Sequence, residues 1–197
     1  MIDFYSESLI NKLFRTNIRF NTNIRFNTNI DLDKVERAIL YAKEYHGQQK
    51  RDTGELYYTH PLEVAYMVSD HSFETDTIIT AILHDTLEDT KLTKERIRYE
   101  FGANIAEQVS DLTRVRDNKK ISTMEMIQIL RSQNKTELLL IKLFDRFHNI
   151  TTIFIKPPHK RQEIIFETQQ EFIALAEYLK LPEIGERLSE YCKLHAS

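Results

Sequence analysis

Leu83-His84-Asp85-Thr86-Leu87-Glu88-Asp89-Thr90 lies in a run without Gly or Pro from Leu62 to Phe101, and its reading as helix decides the fold. A helix advances about 100° per residue, which brings His84, Asp85, Glu88 and Asp89 within an arc of about 140°. One imidazole and three carboxylates then share a face beside Ile82, Leu83 and Leu87. Crowded carboxylates repel unless a cation or a proton neutralises them. The group therefore suits a bound metal better than a solvated acidic helix end. A His-Asp pair by itself would carry little weight.

The same kind of pattern extends on both sides. Leu32, Val35, Ile39, Ala42 and His46 recur at spacings of three and four, the face of a helix ended by Gly47. Pro61 suits the first turn of a second helix, running to about Ser69. The spacing predicts a third from about Glu74 to Glu88 and a short fourth from Thr93 to Phe101, stopped by Gly102. Further helices are expected at about 103–114, 120–132, 136–153, 158–180 and 183–194. Only four Gly and four Pro interrupt 197 residues, so the expected fold is all-α, a compact helical bundle with one long loop from Gly47 to Thr59.

The first thirty residues follow a different pattern. TNIRFN at Thr16–Asn21 repeats at Thr22–Asn27, and TNI follows at 28–30. The hexapeptide matches neither helical nor strand periodicity. Residues 1–30 are thus expected to dangle ahead of a domain over 31–197, the other reading being a binding arm that carries Arg19 and Arg25.

Composition narrows the function. With 27 Lys plus Arg against 30 Asp plus Glu, no broad basic face for nucleic acid is expected. A small anionic ligand needs only local charge or a metal. The single cysteine, Cys192, excludes a disulfide framework and a Cys-based zinc cluster. The most apolar run, Leu138 to Phe144, is interrupted by Lys142 and falls far short of the roughly 20 residues of a membrane span. Without a basic-then-apolar leader, the cytoplasm is the expected compartment and no membrane partner is expected.

Two more segments carry chemistry. In Lys142-Leu143-Phe144-Asp145-Arg146-Phe147-His148-Asn149, Asp145 sits in an apolar helix where an acid needs a partner. That partner is a metal, Arg146 or a neighbouring helix. Asn149 shares its face one turn on, and His148 could orient a carboxylate. In Arg51-Asp52-Thr53-Gly54-Glu55-Leu56-Tyr57-Tyr58-Thr59-His60-Pro61, Gly54 permits a sharp turn and Arg51 offers a planar cation. His60 stands extended at a helix mouth.

Together the segments resemble the HD superfamily of metal-dependent phosphohydrolases, and more closely the hydrolase domain of RelA/SpoT homologues, which make and degrade (p)ppGpp. The motifs are RxxGExYxxHP at Arg51–Pro61, HDxxEDT at His84–Thr90 and DRxHN at Asp145–Asn149. His46-Gly47-Gln48, Phe101-Gly102, the Thr113 region and Glu167-Thr168 support them across about residues 32–180. The resemblance implies that His60, His84, Asp85 and Asp145 hold Mn2+ and that Glu88 and Asp89 activate or position the attacking water. It places Arg51 on the guanine and Asn149 near ribose and phosphate. Thr53 and Tyr57 are assigned to the nucleotide side with them, Tyr57 having the core as its other reading, and His46 is read as structural.

The implied reaction is hydrolysis of the 3′-pyrophosphate ester of a guanosine alarmone to pyrophosphate and GDP or GTP. No synthetase domain fits the length, so synthesis is not expected. Asp52 stands where the family has a basic residue, Phe144 and Phe147 replace smaller or aliphatic residues, and Thr151 replaces an arginine. Competing readings are an HD phosphohydrolase acting on another nucleotide or on NADPH, and a nucleotide-binding regulatory module without turnover.

Overall fold

The computed structural model describes residues 3–21, 30–116 and 119–195, so Arg25 and the later hexapeptide copies lie outside the described residues. Helices α1 (Phe4–Asn21), α2 (Leu32–His46), α3 (Thr59–Val68), α4 (Thr75–Leu83), α5 (Thr86–Asp89), α6 (Lys94–Phe101) and α7 (Ala103–Leu112) come first. After a two-residue antiparallel pair, β1 (Val115–Arg116) and β2 (Lys119–Lys120), follow α8 (Thr123–Ser132), α9 (Thr136–Thr151), α10 (Pro158–Glu167), α11 (Ile173–Tyr178) and α12 (Pro182–His195). The all-α expectation holds. None of the described helices is long and apolar enough to cross a membrane.

The chain forms two units, Met1–Gln49 with Leu56–Thr113, and Lys50–Glu55 with Arg114–Ser197. In the first, α4 is the core helix: every residue from Thr77 to Leu83 is buried. A helix apolar all round must be covered on every side, and α2, α3 and α7 pack against it. Thr80, one of two threonines in that buried stretch, donates to Gln108 Oε1 at 2.6 Å. Gly102, at φ +99°, lets α6 fold back directly into α7.

The predicted helix from Glu74 to Glu88 is broken after Leu83, and this corrects the single 140° face. Thr86 Oγ1 donates to the Leu83 carbonyl at 2.6 Å and His84 Nδ1 to the Ala81 carbonyl at 2.7 Å. These side chains take acceptors that a continuing helix would use for backbone N–H groups. Asp85 then starts the separate one-turn α5.

The N-terminal segment also departs from expectation over Phe4–Asn21, where it is helical. Ser6, Leu9 and Leu13 form a buried stripe against α2 and α3. Asn17, inside the first hexapeptide copy, continues that stripe. Its side chain donates to the Ile30 carbonyl and accepts from the Ile30 N–H, both at 2.9 Å.

Asp3 anchors the start of α1. It accepts from the Ser6 N–H at 3.1 Å, the Tyr58 hydroxyl at 2.8 Å and the Lys43 ammonium at 2.6 Å. Burial works to raise its pKa, but Lys43, Ser6 and Tyr58 outweigh it and lower the value from 3.8 to about 2. Burial and Asp3 in turn push Tyr58 up to about 12. A depressed folded-state pKa contributes stability above the unfolded value and loses it as pH falls through the folded one. Asp3→Asn is therefore expected to cost up to about 2 kcal/mol at neutral pH. In urea unfolding, the gap between parent and variant should close as pH falls from 3.8 towards about 2. A gap that ignores pH would mean the ionised carboxylate contributes nothing.

In the second unit α9 is the central helix, buried from Leu138 to Ile141 and again at Leu143, Phe144, Phe147 and Ile150, and packed on α8, α11 and α12. Phe144 and Phe147 thus enlarge this core. Phe147 meets Tyr191 edge-on at 6.2 Å, with the Arg187 guanidinium 4.5 Å from its ring centre. The predicted helix over 158–180 contains a π-helical turn at Thr168–Phe172, where Thr168 Oγ1 donates to the Ile164 carbonyl at 2.6 Å.

Candidate active site

In the first unit, two helix ends and a one-turn helix bring the predicted donors together. His60 lies in the first turn of α3, whose start is fixed by Thr59 Oγ1 donating to the Leu56 carbonyl at 2.8 Å. His84 caps α4, and both imidazoles are only 2% exposed. A carbonyl can only accept, so the Ala81 contact puts the His84 proton on Nδ1 and leaves the Nε2 lone pair for a cation. His84 Nε2 lies 3.1 Å from Asp85 Oδ1, and His60 Nε2 lies 3.6 Å from Asp85 Oδ2. Ligands at about 2.0–2.4 Å from one ion stand roughly 3–3.6 Å apart. Each imidazole thus stands from the Asp85 carboxylate at a separation that suits two ligands of one divalent cation.

Glu88 and Asp89 follow on α5, with their backbone N–H groups donating to the Asp85 carbonyl at 3.2 and 2.9 Å. Burial and the Asp85 charge raise the Asp89 pKa, with a hydrogen bond from Tyr57 opposing them. Tyr57 itself donates towards Asp89 Oδ2 at 3.0 Å and Asp85 Oδ2 at 3.1 Å. Burial, Asp85 and Asp89 push the phenol far above its ordinary value, so it stays protonated.

The second unit holds the remaining predicted residues. Gly54, at φ +90°, closes a tight turn in which the Arg51 N–H donates to the Glu55 carbonyl and the Gly54 N–H to the Arg51 carbonyl, both at 2.9 Å. Thr53 is exposed on that turn. The Arg51 guanidinium spans His148 Nδ1 and Asn149 Oδ1 at 2.9 Å each. Asn149 Nδ2 donates to Asp145 Oδ1 at 2.7 Å, and Lys142 pairs with Asp145 Oδ2 at 2.7 Å. Arg146 turns away from Asp145 to Glu167 at 2.6 Å, and its guanidinium lies 4.6 Å from the Phe172 ring centre. His148, read from sequence as able to orient a carboxylate, accepts from Arg51 through Nδ1.

Two contributors were missed at the sequence level. Lys156 pairs with Asp52 at 2.5 Å across 104 residues of sequence, a separation at which no local spacing could signal it. The pair sets positive charge beside the position where the family has a basic residue. Gln49, which nothing in the local pattern marks, donates to the Asp89 main-chain carbonyl at 2.9 Å.

A family model described as HD domain matches residues 38–180. The chain is 38% identical over 162 residues to the guanosine-3′,5′-bis(diphosphate) 3′-pyrophosphohydrolase of Aquifex aeolicus, covering 81% of this chain and 23% of that protein. It is 36% identical over 162 residues to the GTP pyrophosphokinase rsh of Brucella ovis, covering 79% of this chain and 22% of that protein. It thus spans somewhat under a quarter of the length of these curated relatives. A solved structure described as a metazoan ortholog of SpoT that hydrolyzes ppGpp aligns at TM-score 0.63 and 23% identity, over 78% of this chain and 94% of that one. At that identity the likeness speaks for the fold.

Proposed function

Because the chain belongs to the HD-domain family, we propose that it is a metal-dependent hydrolase that removes the 3′-pyrophosphate of ppGpp or pppGpp, releasing pyrophosphate and GDP or GTP. The observation that carries this reading is the pair of buried imidazoles, each within 3.6 Å of the Asp85 carboxylate, beside two further acids on α5. HD-domain hydrolases imply a divalent metal, and Mn2+ is the ion proposed here. His60, His84 and Asp85 would hold it, with Asp145 as the fourth ligand on the strength of the family motif. When bound, such an ion supplies Lewis acidity towards phosphate oxygen and water.

This chain's own groups would do the rest. Glu88 takes the proton of the attacking water, with Asp89 as helper or alternative base. Arg51, held in place by His148 and Asn149, presents its guanidinium plane to the guanine. Asn149 and Thr53 serve the ribose and phosphates. The proposed setting is the cytoplasm, with a small guanosine nucleotide as partner and neither nucleic acid nor membrane. The test is pyrophosphate release from ppGpp by the purified chain with and without Mn2+; no release at saturating metal would sink the reading.

A second reading, turnover of another nucleotide or of NADPH, is favoured by Asp52. Its charge is offset by Lys156, which also helps hold the Asp52 pKa low. Removing that offset with Lys156→Ala is expected to raise the KM for ppGpp by up to about fivefold, the scale of an exposed charge pair, with kcat unchanged. Asp52→Asn should lower KM. If neither variant moves KM, the pair lies outside the substrate's reach, and a panel of nucleotides then decides the preference.

A further inference from the structure

Helix α5 has only four residues, and a single helical turn is unfavourable unless outside contacts hold it. Yet Asp85, Glu88 and Asp89 all depend on it for their positions. The first unit supplies a closed set of such contacts from the loop after α2. The Tyr57 ring stacks on the His46 ring, centroids 4.8 Å apart and planes 23° apart. His46 Nδ1 donates to Gln49 Oε1 at 2.8 Å, and Gln49 Nε2 donates to the Asp89 carbonyl at 2.9 Å. The Tyr57 N–H donates to the Gln49 carbonyl at 2.8 Å, which closes the ring of contacts. His46 Nε2 is buried without a hydrogen-bond partner among the described residues, as suits a neutral ring used as a packing platform. Burial also lowers the His46 pKa, against the bond to Gln49.

We propose that Tyr57 is a positioning residue, not a nucleotide contact: braced by His46 and Gln49, its hydroxyl sets the separation and orientation of the Asp85 and Asp89 carboxylates. The phenol has one proton and two acceptors at 3.1 and 3.0 Å. Whichever oxygen it serves, the hydroxyl stands between the carboxylates and keeps them from turning into each other. Asp85 thereby keeps Oδ1 directed to His84, and Asp89 is held at the end of α5. Gln49 fixes the Asp89 backbone while Tyr57 fixes its side chain, so the acid is pinned at two points.

The kinetic part of this inference rests on the hydrolase reading; the metal-binding part does not. Tyr57→Phe removes one oxygen and keeps the ring on His46. Calorimetric titration with Mn2+ alone should show affinity weakened about tenfold, the usual scale for losing a group that orients a metal ligand. With ppGpp, kcat should fall about tenfold while KM stays within about twofold. In an Asp89→Ala background the kcat loss should shrink, since coupled positions are not additive, whereas the Mn2+ loss through Asp85 should persist. Unchanged Mn2+ affinity in the Phe variant overturns the proposal whatever turnover does, and a rise in KM with kcat intact restores Tyr57 to the nucleotide. If the parent releases no pyrophosphate from ppGpp, the hydrolase reading fails by itself and the Mn2+ titration still decides the role of Tyr57.

Discussion

Glu88→Gln is expected to lower turnover of ppGpp by about 10²-fold or more while metal and nucleotide binding stay close to the parent's, the scale for loss of a general base. Gln keeps the size and much of the hydrogen bonding of Glu but cannot accept a proton from water. Glu88 lies on α5 beside the proposed ligand Asp85, and its backbone N–H is bonded to the Asp85 carbonyl, so the substitution leaves the local frame in place. If Glu88 only offsets nearby positive charge, the Gln variant should turn over almost normally. Asp89 complicates the measurement, because its pKa is raised by burial and by Asp85 and it can take part of the proton transfer. Single-turnover pyrophosphate release at saturating Mn2+, for Glu88→Gln, Asp89→Asn and the double variant, separates the two acids. Equal rates for parent and Glu88→Gln would shift the base to Asp89.

Asp145→Ala is expected to abolish activity at low Mn2+ and to recover part of it as the metal is raised. Losing one anionic ligand weakens cation binding by at least about tenfold, the scale seen even for groups that only orient ligands. Asp145 also accepts from Asn149 and pairs with Lys142, so its removal loosens the Asn149 amide that accepts from Arg51. KM should therefore rise together with the Mn2+ requirement. Normal metal content with normal turnover would remove Asp145 from the ligand set.

Much of the fold was legible because helices are local objects. The stripe Leu32, Val35, Ile39, Ala42, His46 marks α2, with bounds the structure reproduces, because i, i+3 and i+4 positions face one way whatever the helix packs against. The donor types were legible too, since three carboxylates crowded beside one imidazole in HDxxEDT demand a cation or a proton.

The residues themselves therefore determined that the chain is helical and which side chains are the candidates for its chemistry. What they could not determine is where local competition or distant partners win. The break at His84 arises because two side chains capture the Ala81 and Leu83 carbonyls, a choice that the 3.6-residue period does not encode. The hexapeptide repeat hid the α1 stripe, and only packing on α2 and α3 makes that helix worth forming. Tyr57 became a brace for two carboxylates, and Lys156 a counter-charge for Asp52, through contacts between groups far apart in sequence. Such contacts depend on where the backbone puts the two ends, and that is a property of the packed core rather than of any window of sequence.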